Sequence, residues 1–297
     1  MLFGNKFTRT RINTSGAEIN LIHGGSGRPL LLLHGYPQTH VMWHKVAPRL
    51  TDHFHVVCPD LRGYGDSSKP LSTSDHSPYS KRAMAQDMVE VMDSLGYQKF
   101  CVAGHDRGAR VAHRLALDHP AKAEKVCVMD IAPTYHMFKT TDQSFATGYY
   151  HWFFLIQPNG LPEHMIGCDP SYFLKEKLGR WSGSKALFAD EAMSEYLRCF
   201  SNPETIHASC EDYRAAATID MEHDEADMDK KVSCPLLALW GVKGFVHRSY
   251  DVLKVWRERA IEVEGRALDS GHFLPEEAPM EVYEELLQFF SVNSSQT

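Results

Sequence analysis

Short apolar runs alternate along the chain with segments whose apolar residues recur at helical spacing. Each run holds consecutive or alternating apolar residues, which is typical of buried strands. The candidate strands span residues 29–34, 55–59, 99–104, 125–130, 234–241 and 260–268. Between two of these runs, Met84, Met88 and Val91 recur at helical spacing within segment 79–95. The pattern predicts an α/β fold, in which helices flank a mostly parallel sheet.

The alternation of strands and helices stops between residues 134 and 213. This stretch is rich in aromatic residues and methionine, and its pattern is typical of short helices. The alternation resumes near Cys234. We therefore expect a core domain formed by residues 1–133 and 214–297, with a helical cap at 134–213 inserted into it.

The amino-acid composition and charge limit the classes of function to be expected. Of the 297 residues, 43% are hydrophobic, which is enough for a large buried core. The net charge of −7 is spread along the chain without a block of Lys or Arg, so we expect neither a nucleic-acid nor a membrane partner. Residues 1–16 lack the apolar core of a signal peptide, and no run approaches the roughly 20 apolar residues that span a bilayer. A cytoplasmic enzyme is therefore expected.

The first candidate catalytic motif is Gly104-His105-Asp106-Arg107-Gly108, which lies between a predicted strand and a segment with a helical pattern. The two glycines permit a sharp turn that lifts the middle side chain clear of the sheet, as in a nucleophile elbow. The middle residue here is Asp106. A carboxylate is already anionic at neutral pH and is favoured at a helix N-terminus, so it can attack carbon without a base. Because aspartate is also an ordinary helix cap, the motif alone does not establish catalysis.

A second motif follows the first predicted strand. Residues 34–37 read His-Gly-Tyr-Pro, and a turn at this place directs a backbone N–H toward the elbow. We expect the backbone amides of Tyr36 and Arg107 to form an oxyanion hole.

The remaining catalytic candidates are a histidine and an acid. His272 lies in the loop Ser-Gly-His-Phe after the last predicted strand, where this fold places its general base. Asp130 ends the strand 125–130, from which it can orient the imidazole. The more familiar place for the acid, after Gly241, holds residues 242–244 and no carboxylate. Asp130 is therefore the predicted acid.

Together, these four motifs resemble the dehalogenase branch of the α/β-hydrolases, and most closely the fluoroacetate dehalogenases. The resemblance extends over essentially the whole chain. It implies an α/β-hydrolase fold with an inserted cap, in which Asp106 is the nucleophile, Asp130 the acid and His272 the base. It also implies a hydrolase of carbon–halogen bonds that converts fluoroacetate to glycolate and fluoride through an aspartyl ester. No cofactor is implied, and the resemblance suggests a homodimer.

The same resemblance implies binding roles in the elbow helix and the cap. Arg107 and Arg110 resemble the clamp for the substrate carboxylate, and His151, Trp152 and Tyr213 resemble the donors that bind the halide. The residue types suit these roles. Two arginines three positions apart lie on one side of a helix, where guanidinium groups can grip a carboxylate. N–H and O–H donors stabilise a departing fluoride.

Three alternatives stay open at this point. An epoxide hydrolase would share the nucleophile and the base, and it would need an acid such as Tyr149, Tyr150 or Tyr213. A haloalkane dehalogenase would need an apolar pocket beside the nucleophile, which Arg107 disfavours. The fold can also serve as a non-catalytic receptor for a small molecule. The paired arginines favour a small anionic haloacid as substrate, and no metal is expected because no HExxH-type spacing occurs.

Overall fold

The computed structural model describes residues 2–183 and 188–291. Within these residues, eight strands form a single sheet. In chain order, strands β1 to β8 are Phe7–Asn13, Glu18–Gly24, Arg28–Leu33, Phe54–Pro59, Phe100–His105, Ala123–Met129, Leu236–Gly241 and Val263–Leu268. Their order across the sheet is β1-β2-β4-β3-β5-β6-β7-β8. Strands β3 to β8 pair in parallel, whereas β1 and β2 are antiparallel to their neighbours.

Helices flank the sheet and fill the long connection between β6 and β7. In chain order, helices α1 to α15 are Ala47–Leu50, Lys81–Ser94, Arg107–Asp118, Thr134–Lys139, Gln143–Gly148, His151–Phe154, Leu161–Cys168, Pro170–Trp181, Asp190–Phe200, Pro203–Ala217, Ile219–Ala226, Phe245–Ser249, Val252–Arg257, Leu274–Glu277 and Pro279–Ser291. The predicted α/β class is confirmed. Within the described part of the chain, no helix is both long and apolar enough to cross a membrane.

All of the predicted strands are present, with their ends shifted by at most a few residues. The strand predicted at 260–268, for example, begins at Val263. Strands β1 and β2 are not among the predicted strands. The side chains of Thr8, Arg9 and Arg11 in β1 are exposed because this strand lies at the edge of the sheet, where a polar sequence is expected.

Helices α4 to α11 lie between β6 and β7, where the cap is predicted. Residue 213, the predicted end of the cap, falls inside α10, and α11 follows before the sheet resumes. The division of the chain into core and cap stays a prediction. Helices α4 to α11 are called the cap helices.

Three catalytic candidates lie together at the carboxyl ends of the central strands. Strand β5 lies between β3 and β6, and all three run in the same direction. Their carboxyl ends therefore meet, and the residues that follow them include Tyr36, Asp106 and Asp130. Open parallel sheets generally bind ligands at this edge.

The turn between β5 and α3 depends on close backbone contacts at its glycines. A Cβ atom on Gly104 would lie 2.3 Å from the carbonyl oxygen of Gly108, and one on Gly108 would lie 2.4 Å from that of His34. A side chain at either position would push α3 away from β3 and β5. Gly104 therefore sets how tightly the turn closes, and Gly108 sets how closely α3 approaches the loop of residues 34–37.

We predict that Gly108→Ala lowers the free energy of unfolding by about 2–3 kcal/mol, because the added methyl group meets backbone that cannot yield cheaply. Urea denaturation measures the change. Gly179→Ala is the control, since this glycine is exposed within α8 and, apart from its own stretch of helix, no described atom lies within 4 Å of the added Cβ. That variant should be more stable by about 1 kcal/mol. Equal stability of the two variants would contradict the role assigned to the elbow glycine.

Candidate active site

Asp106 lies at the sharp turn between β5 and α3. Its φ of 47° and ψ of −115° place it in a region that residues other than glycine rarely adopt, at a cost of about 1–3 kcal/mol. The turn directs the side chain toward the loop that follows β3, where the N–H of Tyr36 donates to its Oδ1 at 3.0 Å. Arg107, whose amide is the second predicted oxyanion donor, is the first residue of α3. The nucleophile candidate thus lies against the predicted oxyanion hole.

The carboxylate of Asp106 is buried and ionised. Burial by itself raises the pKa of a carboxyl group, but the positive charges of His272, Arg107 and Arg110 outweigh it. The pKa of Asp106 is therefore lowered from its ordinary value. At neutral pH the side chain is an anion with little water around it, which is the state a nucleophilic carboxylate requires.

His272 is held between the two aspartates. Its Nδ1 donates to Oδ2 of Asp130 at 2.7 Å, and the N–H of Gly241 donates to the other oxygen of Asp130 at 3.0 Å. The opposite ring atom, Nε2, lies 3.9 Å from Oδ2 of Asp106. This gap is too long for a direct hydrogen bond, so the imidazole faces the Asp106 carboxylate without pairing directly with it.

The pKa of His272 reflects two opposing effects. Burial lowers it, but the hydrogen bond to Asp130 and the charges of Asp130 and Asp106 together raise it above the ordinary value. Asp130 therefore stabilises the protonated form of the His272 ring, as the predicted acid of a general base would.

His105 is a supporting residue that the sequence analysis did not single out. Its Nε2 donates to the carbonyl oxygen of His272 at 2.7 Å, and the two rings lie 4.5 Å apart. Burial and the nearby His272 lower the pKa of His105 to about 3, so it stays neutral. Its only sequence signal is its place beside the nucleophile in the elbow motif.

Arg107 lies buried beneath the cap helices, held by a residue of α10. Its Nε and Nη2 donate to the two carboxylate oxygens of Asp212 at 3.0 and 2.5 Å. Its guanidinium carbon lies 4.2 Å from the centre of the Tyr213 ring. The remaining nitrogen, Nη1, is buried and has no hydrogen-bond partner among the described residues.

Arg110 is the second buried guanidinium. Its Nη1 donates to the carbonyl oxygen of Ala132 and to Oγ1 of Thr134, both at 2.9 Å. Its guanidinium carbon lies 4.8 Å from the ring of Trp152. Its Nε is buried without a partner in the described part of the chain. Burial and the charge of Arg107 lower its pKa. Each predicted clamp residue thus keeps one nitrogen unpaired.

The three predicted halide donors form one aromatic cluster. The ring of Tyr213 lies 5.5 Å from that of His151 and 6.3 Å from that of Trp152. Within residues 2–183 and 188–291, neither the hydroxyl of Tyr213 nor Nδ1 of His151 has a hydrogen-bond partner. Burial and the charge of Lys177 lower the pKa of His151 well below its ordinary value. Its ring is therefore neutral and carries one N–H.

Trp181, at the end of α8, joins the cap helices to the loop that holds His272 and was missed by the sequence analysis. Its carbonyl oxygen accepts the N–H of His272 at 2.9 Å, and its ring lies 4.5 Å from that of His151. It lines a cavity of about 190 Å³ that reaches His272, together with Tyr149. No pattern in the aromatic-rich cap distinguishes this tryptophan from packing residues.

The cap tyrosines considered as epoxide-opening acids are placed differently. The hydroxyl of Tyr150 contacts the ammonium group of Lys177. Tyr149 stacks on Phe245, with ring centres 4.5 Å apart. Tyr213 lies against Arg107, and its hydroxyl has no hydrogen-bond partner among the described residues. Of the three, Tyr213 lies among the predicted substrate-binding residues.

Comparison with known proteins identifies the family. Residues 28–279 match the family described as the alpha/beta hydrolase fold. A fluoroacetate dehalogenase from Burkholderia sp is 44% identical, covering 96% of this chain and 94% of that protein. A soluble epoxide hydrolase from Corynebacterium sp. (strain C12) is 35% identical over 96% of this chain and 98% of its own length.

Among solved structures, an α/β hydrolase from Nostoc sp PCC 7120 superposes with a TM-score of 0.97 at 61% identity, covering 99% of this chain and 100% of that one. The family predicted from the sequence is confirmed. This chain belongs to the α/β-hydrolase fold family and is similar to a fluoroacetate dehalogenase over nearly its whole length.

Proposed function

We propose that the protein is a hydrolytic dehalogenase of short 2-haloacids that works through an ester on Asp106. The observation that carries the proposal is the pair of buried guanidinium groups beside an ionised carboxylate. Arg107 and Arg110 each hold a buried nitrogen without a partner in the described chain. An unpaired buried donor costs about 1–3 kcal/mol, and more when charged. A carboxylate of a small substrate would remove that cost and place its α-carbon near Asp106.

The first step is a displacement at the α-carbon. An oxygen of Asp106 forms a bond to the carbon as the carbon–halogen bond breaks, and the bonding electrons leave with the halide. Oδ1 is held by the Tyr36 amide, so we assign the attack to Oδ2. The N–H and O–H donors of His151, Trp152 and Tyr213 would strengthen their hydrogen bonds as charge develops on the halide, which lowers the barrier.

The second step is hydrolysis of the ester. Water gives a proton to Nε2 of His272 and attacks the carboxyl carbon of Asp106, and the amides of Tyr36 and Arg107 hold the oxyanion. The acyl–oxygen bond then breaks, and the hydroxyacid leaves with the proton returned by His272. The 3.9 Å between Nε2 and Oδ2 suits a bridging water better than a direct contact.

An epoxide hydrolase is the second candidate. The unpaired hydroxyl of Tyr213 favours it, because an opening epoxide needs a proton donor. The identity to a soluble epoxide hydrolase supports it as well. Against it, a neutral epoxide would leave Nη1 of Arg107 and Nε of Arg110 without the anionic acceptor that a carboxylate provides, which is the costlier arrangement. The charge of the site therefore favours the haloacid.

Comparison of four substrates separates the candidates. We predict that the enzyme releases halide from fluoroacetate and chloroacetate, and that it neither releases bromide from a bromoalkane nor forms diol from styrene oxide. Ion chromatography measures the halide and gas chromatography the diol. Diol formation without halide release from the acids would establish the epoxide hydrolase instead.

The pH dependence of ester hydrolysis tests the base. The neutral imidazole of His272 accepts the proton, and its pKa is raised. Activity should therefore fall as the pH drops through a midpoint above the ordinary histidine value of 6.5. Asp106 titrates below its ordinary value and does not contribute in this range.

Asp130→Asn is the variant for this test, because it removes the charge that raises the pKa of His272. The midpoint should move to lower pH, and kcat should fall by about 10²–10⁴-fold. Initial rates of halide release across the neutral pH range give both quantities. A midpoint that stays in place in the variant would show that Asp130 is not the partner that controls the base.

A further inference from the structure

Asp212 is a buried carboxylate of α10 to which the sequence analysis gave no role. Its oxygens accept two hydrogen bonds from Arg107, at 3.0 and 2.5 Å, and one from the hydroxyl of Tyr64 at 2.7 Å. The ammonium group of Lys81 also contacts it. Its carbonyl oxygen accepts a further bond from Nη2 of Arg107 at 2.9 Å. Asp212 therefore holds Arg107 through both its side chain and its backbone.

The charges around Asp212 are balanced. Two cations, Arg107 and Lys81, face two anions, Asp212 and Asp220, since Lys81 also lies 3.4 Å from Asp220. Burial raises the pKa of Asp212, but the charges and hydrogen bonds of Arg107 and Lys81 outweigh it and lower the pKa below the ordinary value. The carboxylate is therefore ionised when it holds the guanidinium.

We propose that Asp212 is a positioning residue that directs one nitrogen of Arg107 toward the substrate carboxylate. This inference rests on the proposed function. Asp212 fixes Nε and Nη2, and the ring of Tyr213 lies against the guanidinium at 4.2 Å. Two paired nitrogens and a stacked ring define the orientation of a planar group. Nη1 is then the part of Arg107 that remains for a ligand.

Asp212 also keeps Arg107 from pairing with the nucleophile. The charge of Arg107 already helps to lower the pKa of Asp106. Without Asp212, the guanidinium of Arg107 would be free to pair with the carboxylate of Asp106. That ion pair would occupy the lone pair that attacks carbon. Loss of Asp212 should therefore weaken substrate binding and slow alkylation together.

A purely electrostatic role for Asp212 would change substrate binding in the opposite direction, which makes the proposal testable. Asp212 competes with the substrate for the charge of Arg107, so a purely electrostatic role predicts tighter binding of an anion when Asp212 is neutralised. Positioning predicts weaker binding. Misplacement of a binding group by about 1 Å can cost on the order of 100-fold in rate, so we expect positioning to dominate.

The experiment compares Asp212→Asn with Glu211→Gln. Both replace a buried carboxylate of α10 by its amide, but Glu211 pairs with Arg214 at 2.8 Å and His76 at 2.7 Å, away from Arg107. For chloroacetate, Asp212→Asn should raise KM, lower kcat and reduce kcat/KM by about 10²-fold. Glu211→Gln should leave kcat/KM within about twofold, because Glu211 shares no partner with Arg107 in the described part of the chain, although both variants lose thermal stability.

Chloroacetamide, the uncharged analogue, gives a readout that a structural role would not move. We expect Asp212→Asn to reduce kcat/KM for chloroacetate more than for the amide, since only the acid uses the charge of Arg107. A lower KM for chloroacetate, or equal losses for the two substrates, would overturn the proposal. If Asp212→Asn does not fold, Asp212→Glu keeps the charge, displaces the carboxylate by one methylene group and should show the same preference.

The dissociation constant of glycolate, measured by calorimetry, separates this proposal from the proposed function. If the unmodified enzyme releases no halide from chloroacetate, the proposed function fails. Weaker glycolate binding in Asp212→Asn than in Glu211→Gln would still support the role of Asp212, and equal binding would refute it.

Discussion

A carboxylate that attacks carbon must be ionised, shielded from water and unpaired, and these requirements oppose one another. Burial alone would protonate Asp106, whereas a direct ion pair would keep it charged but occupy its lone pairs. The structure distributes the stabilisation instead. One oxygen of Asp106 accepts a hydrogen bond from the amide of Tyr36 at 3.0 Å, and Nε2 of His272 lies 3.9 Å from the other oxygen. The guanidinium groups of Arg107 and Arg110 contribute positive charge, but they donate hydrogen bonds to other residues, such as Asp212 and Thr134.

The cap helices complete the site as well as cover it. Helix α10 supplies Asp212 and Tyr213, which hold and stack on a guanidinium of the core helix α3. Helix α8 ends at Trp181, whose carbonyl oxygen anchors the backbone of His272. Binding, alkylation and hydrolysis would therefore all depend on how the cap helices pack on the sheet.

The sequence predicted the parts of the molecule that local patterns encode. Six parallel strands follow from apolar runs, and the elbow follows from two glycines at a strand end. The pairing of His272 with Asp130 was predicted from chain order, although 142 residues separate them. The edge strand β1 was missed because its exposed residues carry no hydrophobic pattern. His105, Trp181 and Asp212 were missed because their contacts arise only when distant segments pack together.

In the proposed reaction, a carboxylate oxygen of Asp106 becomes bonded to substrate carbon. A single turnover with excess enzyme in water enriched in ¹⁸O tests it most directly, with peptide mass spectrometry of Asp106 and mass analysis of the hydroxyacid. If an Asp106 ester forms, the label enters the side chain of Asp106 and the first hydroxyacid is unlabelled. Label in the hydroxyacid of that first turnover, with none in Asp106, would contradict it.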